Sequence, residues 1–151
     1  MWRNYIIAAV VALLFLPWSA RAETYSAALT RAKKQDKPVV LYFFTPACGY
    51  CAAMDKKVLA DKSVAPLLRR DLVYVRIDAN KHEDLAERYA VWAFPTTWLL
   101  EPSGAKITRL MGYVPKDDFS RALAYLKGKH YRTMGLNEFV RSSKGRDSKT
   151  P

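Results

Sequence analysis

The feature that most constrains this chain is a pair of cysteines three residues apart, Cys48 and Cys51, which are the two cysteines of the 151-residue sequence. An apolar run over residues 38–44, typical of a β-strand, precedes them, and a helical pattern free of glycine and proline follows. A strand therefore delivers the pair to the N-terminus of a helix. Unpaired backbone N–H groups and the positive end of the helix dipole stabilise an anion there, so the sequence predicts a reactive thiolate at Cys48.

The two positions predict different roles for the two sulfurs. Cys48, at the helix cap, can face solvent and attack a foreign disulfide, whereas Cys51 faces the body of the domain and resolves the mixed disulfide that forms. A spacing of three on a helix also brings the two sulfurs close enough to bond to each other. We therefore expect Cys48 and Cys51 to be the catalytic pair of a thiol–disulfide exchange.

A purely structural disulfide and a zinc site are weaker interpretations of the cysteine pair. A structural disulfide across three residues closes a small loop and constrains the unfolded chain little, so it would stabilise the fold only slightly. A zinc site would need further ligands, and the histidines of the chain, His82 and His130, do not stand at the spacing of a zinc knuckle or finger. No metal site is predicted.

The first 22 residues have the three regions of a secretory signal peptide, with Arg3 near the start, an apolar core, and a small-x-small sequence at 20–22. The core is short for a spanning helix, which needs about twenty residues, and an uncleaved membrane anchor is the alternative. We expect cleavage before Glu23 and one domain in the remaining chain. Because exported proteins live where disulfides form and persist, redox exchange with other proteins is the expected task.

The composition adds a strong positive charge. The formal net charge is +11 at pH 7, and much of the excess lies after residue 127. Residues 130–151 are predicted to form a basic, disordered tail, because the last of them hold little that could be buried. Nucleic-acid binding is a poor fit for an exported protein, and weak attraction to an acidic partner or anionic lipid is the alternative to a simply solvated tail.

Beyond the cysteines, periodicity predicts the element order α-β-α-β-α-β-β-α. The predicted elements are helices over 23–37, after Cys51, over 64–70, over 81–89 and from 115, and strands over 39–44, 72–78, 96–100 and 106–111. The first strand is apolar on both faces, as is typical of a central strand covered by helices on each side. The pattern predicts parallel strands joined by helices, followed by a hairpin and a terminal helix.

The chain resembles the thioredoxin family. The resemblance rests on the strand leading to Cys48-Gly49-Tyr50-Cys51 at a helix start, on the Phe94-Pro95-Thr96 step that opens the third strand, and on the closing hairpin and helix. It covers residues 23–129 and is strongest to exported thioredoxin-like domains such as the periplasmic C-terminal domain of the electron carrier DsbD. The implied fold is the α/β thioredoxin fold, a mixed central sheet with helices on both faces.

The resemblance also implies the residues of the site. It makes Cys48 the attacking thiolate, Cys51 the resolving thiol, and the bond between Phe94 and Pro95 a cis peptide beside them, with a trans proline as the alternative. The residues expected to bind an extended substrate strand are Gly49, Tyr50, Ala93, Phe94 and Pro95.

The implied function is that of an exported protein thiol:disulfide oxidoreductase. It would act on protein thiols and disulfides without an organic cofactor, since the cysteine pair itself carries two electrons. We expect the reductive direction, supplied by a membrane thiol donor, and a periplasmic monomer that binds no nucleic acid. A disulfide oxidase, an isomerase and a redox-silent binding module on the same fold are the alternatives.

Two positions depart from the thioredoxin pattern. Tyr42 stands six residues before Cys48, where thioredoxin has a buried aspartate, and Ala47 stands where a tryptophan normally precedes the first cysteine. Without that carboxylate, deprotonation of Cys51 must use water, another side chain or the helix dipole. The sequence also leaves the role of Tyr50 open. Its ring could pack on substrate, its hydroxyl could donate to a thiolate, or the side chain could face solvent.

Overall fold

The computed structural model describes residues 24–147, so the signal peptide predicted over 1–22 lies outside the described residues. The elements are α1 (Tyr25–Gln35), β1 (Val39–Phe44), α2 (Gly49–Met54), π-helical turns at Asp55–Leu59 and Leu67–Asp71, β2 (Val73–Asp78), α3 (Glu83–Arg88), β3 (Thr96–Leu100), β4 (Lys106–Met111), α4 (Lys116–Lys127), a 3₁₀ turn (His130–Arg132) and α5 (Leu136–Asp147). The strands predicted over 39–44, 96–100 and 106–111 are confirmed. No helix within this part of the chain is long and apolar enough to cross a membrane.

The four strands form one mixed sheet in the order β2-β1-β3-β4. β1 is parallel to β2 and antiparallel to β3, and β3 is antiparallel to β4. The predicted mixed sheet is thus confirmed, with β1 and β2 as parallel strands joined by a helix and β3 and β4 as the hairpin. The six residues of α3 span about 9 Å, roughly half the length of a six-residue strand, so α3 does not carry the chain to the far end of the sheet.

β1 is the centre of the molecule and has buried side chains on both faces. Val40 and Tyr42 belong to the core on the side of α2 and α4, while Leu41 and Phe43 belong to the core on the side of α1 and α3. The central strand covered on both sides, as predicted, is thus confirmed, and with it the α/β thioredoxin fold.

Three loops meet at one end of this sheet. Phe43 near the end of β1 is paired with Thr96 at the start of β3, and Thr96 is paired with Met111 at the end of β4. The backbone N–H of Gly112 donates to the carbonyl of Pro95 at 2.7 Å. The cysteine loop after β1, the loop before β3 and the turn after β4 therefore lie side by side.

The segment predicted to be a disordered tail from residue 130 is instead folded. The 3₁₀ turn and α5 continue the structure to residue 147, and Phe139 of α5 is buried with its ring centroid 5.6 Å from that of Tyr125 in α4. Leu136 packs against the same core as Phe139, and Leu136 and Val140 line a groove beside α4. The prediction failed because a polar average composition hid apolar residues at helical spacing. Residues 148–151 lie outside the described part of the chain.

Candidate redox site

Cys48 is the N-cap of α2, which confirms the predicted passage from strand to helix. Its backbone is extended, with φ −89° and ψ 108°, and its Sγ accepts a hydrogen bond from the backbone N–H of Cys51 at 3.1 Å. The backbone N–H of Cys48 donates to the carbonyl of Thr45 at 3.2 Å, so a tight turn joins β1 to α2. A sulfur at this cap lies where backbone donors converge, which favours its anionic form.

The two cysteines form a disulfide and differ in exposure. Their Cα atoms are 5.2 Å apart, Cys48 is partly exposed, and Cys51 is 3% exposed. A second protein can therefore reach Cys48 more easily than Cys51. This difference is the one that the predicted roles of attacking and resolving thiol require, and those roles stay predictions.

The loop before β3 lies beside the cysteines because of the strand register described above. The peptide bond between Phe94 and Pro95 is cis in the structure. Pro95 is buried and Ala93 is exposed, and the carbonyl of Ala93 accepts a hydrogen bond from the Thr96 hydroxyl at 2.8 Å. This bond uses one of the two lone pairs of the Ala93 carbonyl, so the other stays available to an external donor.

Large apolar side chains surround this end of the sheet, and we call them the apolar rim. Its members are Tyr50 (71% exposed), Trp92 (67%), Met111 (56%) and Tyr113 (36%). An exposed apolar cluster of this kind marks a contact surface rather than a core. The sequence singles out Tyr50 alone among the four, because no periodicity distinguishes an exposed aromatic residue in a loop from a buried one.

Tyr42 occupies the space beneath Cys51. It is fully buried, and its hydroxyl donates to the carbonyl oxygen of Cys51 at 3.4 Å. Burial, reinforced by the nearby Asp55 carboxylate, raises the pKa of Tyr42, so this phenol stays protonated in the working pH range. A protonated phenol donates a hydrogen bond but does not take a proton from a thiol. Tyr42 therefore does not replace the aspartate of thioredoxin as a base.

An ion pair lies beside Tyr42. Arg76 of β2 donates two hydrogen bonds to Asp55, from Nη1 to Oδ1 at 2.6 Å and from Nη2 to Oδ2 at 2.9 Å. The guanidinium carbon lies 4.5 Å from the ring centroid of Phe44 and 5.3 Å from that of Tyr42. The sequence does not reveal the pair, since its members are 21 residues apart and only pairing of β1 with β2 brings them together.

Comparison with protein families gives a match over most of the described chain. The family model for the thioredoxin-like domain matches residues 25–127, which include all four strands, both cysteines and the cis-proline loop. The chain belongs to the thioredoxin-like family. As a member of it, this thioredoxin-like protein carries its two cysteines as a disulfide-bonded pair at the start of α2.

Individual relatives of the thioredoxin-like protein agree with this assignment. Thioredoxin Y2 of Arabidopsis thaliana, a chloroplastic protein, is 31% identical over 104 residues, which cover 67% of this chain and 60% of that protein. This chain spans less than two thirds of the length of the curated relatives that it matches.

Solved structures give the same fold. A thioredoxin from Thermus thermophilus superposes with a TM-score of 0.60 at 31% identity, over 66% of this chain and 81% of that one. The C-terminal domain of DsbD from Neisseria meningitidis, in its oxidised form, superposes with a TM-score of 0.59 at 25% identity, over 67% of this chain and 90% of that one. The similarity predicted to this DsbD domain is thus confirmed at the level of the fold.

Proposed function

We propose that this thioredoxin-like protein is an exported thiol:disulfide oxidoreductase that exchanges its Cys48–Cys51 pair with the thiols and disulfides of other proteins. The observation that carries the proposal is the contrast between the two bonded sulfurs. Cys48 is partly exposed at a helix N-cap, and Cys51 is buried behind it. This is the arrangement that a two-step exchange needs, with one sulfur that meets the substrate and one that waits inside.

In the reductive direction, the reduced Cys48 thiolate attacks a substrate disulfide. One substrate sulfur leaves and takes a proton from solvent, and a mixed disulfide joins the other substrate sulfur to Cys48. Cys51 then loses its proton to solvent and attacks the Cys48 sulfur, which releases the second substrate thiol. Two electrons have passed from the cysteine pair to the substrate, and no organic cofactor takes part.

The docking surface we propose for the substrate is the loop before β3 together with the apolar rim. Ala93 is exposed in the loop that leads through Phe94 and Pro95 into β3, and an extended polypeptide could lie along this backbone. Gly49 leaves the approach open, since apart from its chain neighbours and the backbone of its own helix no atom lies within 4 Å of the position that a Cβ would take. Tyr50, 71% exposed, is placed to pack on a bound chain.

We further propose export to the periplasm, the reductive direction and recharging by a membrane thiol donor. Support for export comes from the signal peptide predicted over residues 1–22, and support for the direction comes from the resemblance to DsbD-type domains. Export is tested by the mass of the chain recovered from a periplasmic fraction. A chain that begins at Glu23 supports cleavage, and an intact membrane-bound chain would support the uncleaved anchor.

The activity is tested by reduction of insulin with dithiothreitol as the electron source. We expect the wild-type protein to accelerate the reaction and Cys48→Ser to abolish the acceleration. In a separate experiment, Cys51→Ser should accumulate mixed disulfides with the substrates and so identify them. Absence of acceleration in the wild-type protein would instead support a redox-silent binding module. The direction follows from the reduction potential in glutathione buffers, where a value of about −120 mV, typical of a strong oxidant, would reverse our assignment.

A further inference from the structure

The carbonyl oxygen of Cys51 accepts hydrogen bonds from two groups. The Tyr42 hydroxyl donates to it at 3.4 Å, and the backbone N–H of Asp55 donates to it as α2 continues into the π-helical turn. Asp55 follows Cys51 by one helical turn, so the two side chains lie on the same side of the helix. Asp55 is thus the charged residue that lies one turn from Cys51 on the same helical segment.

Arg76 holds that carboxylate from the neighbouring strand. Its two hydrogen bonds to Asp55 are the geometry of a bidentate arginine–carboxylate pair, and its guanidinium is stacked against the rings of Tyr42 and Phe44. The two side chains are 39% and 35% exposed, so the pair sits at the boundary between solvent and the buried Cys51. A charge at such a boundary acts on a buried thiol more strongly than it would in water.

We propose that Asp55 and Arg76 are positioning residues with opposite effects on the proton of Cys51, and that Arg76 offsets the Asp55 carboxylate so that Cys51 can become a thiolate and resolve the mixed disulfide. The carboxylate alone would oppose a thiolate at Cys51, and the guanidinium alone would favour one. Paired, the two charges nearly cancel. This inference rests on the proposed exchange function, in which Cys51 must become a thiolate before it attacks Cys48.

The groups around Cys51 leave these two charges as the main electrostatic control. From β1 the titratable neighbour is Tyr42, which stays protonated, and from β2 the neighbours are Arg76 and Tyr74, whose hydroxyl is buried. α4 packs apolar residues such as Phe119 against the same core. In the step concerned, the Cys51 proton passes to solvent, the Cys51 sulfur bonds to Cys48, and the substrate sulfur leaves as a thiolate.

The test uses the opposite signs of the two charges. In the full chain carrying Cys48→Ser, the ¹³Cβ chemical shift of the one remaining cysteine, followed as a function of pH, reports the ionisation of Cys51 alone. Asp55→Asn leaves the cation unpaired and should lower the pKa of Cys51, while Arg76→Gln leaves the carboxylate unpaired and should raise it. A nearby charge shifts a pKa by about one unit or more, which changes the thiolate fraction about tenfold.

Three further variants complete the design. The double variant Asp55→Asn with Arg76→Gln should return close to the parent value, and Arg76→Lys, which keeps the charge, should stay near it. Asp71→Asn is the control. It breaks the Asp71–Lys127 ion pair, whose atoms are 2.8 Å apart just before β2 begins, and should leave the pKa of Cys51 unchanged. Urea unfolding of each variant confirms that it is folded.

Opposite shifts in the two single variants support the proposal. Shifts in the same direction, which a merely structural pair would produce because both variants break it, overturn the proposal, and so does a shift in one variant only or in neither. The titration needs no substrate, so its result is independent of the insulin assay. Failure of the exchange function and failure of this inference are therefore told apart.

Discussion

The backbone N–H of Cys51 donates to the Sγ of Cys48 across 3.1 Å. After reduction, the same donor lies where negative charge forms on the Cys48 sulfur, at the N-terminus of α2. This hydrogen bond at the helix N-cap therefore stabilises the thiolate form of Cys48.

From this hydrogen bond we predict that Cys48 ionises well below the ordinary thiol value of about 8.5, within the range of about 3.5 to 7.5 found for cysteines at helix N-termini. The measurement is the rate of alkylation by iodoacetamide as a function of pH in Cys51→Ser, where Cys48 is the one cysteine. The same variant unfolded in urea serves as the control and should titrate like a free thiol. A folded midpoint near about 8.5 would contradict the prediction.

We predict from the apolar rim that Trp92→Ala lowers kcat/KM for a protein substrate but not for a small disulfide. Its ring is 67% exposed and lies 4.5 Å, centroid to guanidinium carbon, from Arg109. An exposed aromatic side chain in a contact surface contributes about 1 to 2 kcal/mol to binding, so Trp92→Ala should lower kcat/KM for insulin roughly fivefold to thirtyfold.

A small aromatic disulfide makes no use of the rim and provides the control for Trp92. Its rate of reduction should be the same in Trp92→Ala and in the wild-type protein, and Trp92→Phe should keep most of the activity toward insulin. An equal loss with both substrates would place Trp92 in the support of the cysteine loop rather than in a docking surface.

The folded C-terminal segment predicts a stability role for Phe139. The ring is buried, with its centroid 5.6 Å from that of Tyr125 and 4.6 Å from that of His130. Truncation of a buried phenylalanine costs about 3 to 5 kcal/mol, so Phe139→Ala should lower the free energy of unfolding by about 3 kcal/mol. The measurement is urea unfolding, with exposed Arg141→Ala as the control on the same helix. An unchanged midpoint in Phe139→Ala would mean that α5 does not pack on α4 in solution.

Ion pairs at the other end of the sheet predict a loss of stability in acid. Lys129 donates a hydrogen bond to Asp36 and lowers the pKa of that carboxyl below its ordinary 3.8, and Lys127 does the same for Asp71. A carboxyl with a lowered pKa in the folded state stabilises the fold above the unfolded pKa. That contribution is lost as the pH falls through the folded pKa.

We therefore expect the urea midpoint to fall on acidification from about pH 6 to about pH 2.5. The drop should be smaller in Asp36→Asn, because asparagine has no carboxyl group that is protonated in acid. Asparagine also tolerates the left-handed backbone of this position, where φ is 51°, so the variant should fold. Lys129→Met should lower the midpoint near pH 6 and have little effect at the acidic end. An unchanged drop in Asp36→Asn would show that this pair does not contribute.

Two aromatic residues have environments that the sequence does not reveal. The sequence marks Tyr42 as a departure from the family pattern, but its hydrogen bond to Cys51 is not visible there, because it depends on how β1 lies beneath α2. The sequence places Phe139 in a disordered tail, although its side chain is buried. In both cases the contacts of the side chain come from residues in other elements of the fold.

The sequence by itself determined the strand that ends before Cys48, the helix that begins there, the bounds of three of the four strands and the family. These features depend on residues close in the chain, whose periodicity and capping act locally. Only the tertiary structure decided that β3 runs antiparallel to β1, that α5 closes over α4, and that Asp55 meets Arg76 behind Cys51. Those outcomes depend on which distant segments pack together, because burial and ion pairing are properties of the assembled chain and not of any one stretch of it.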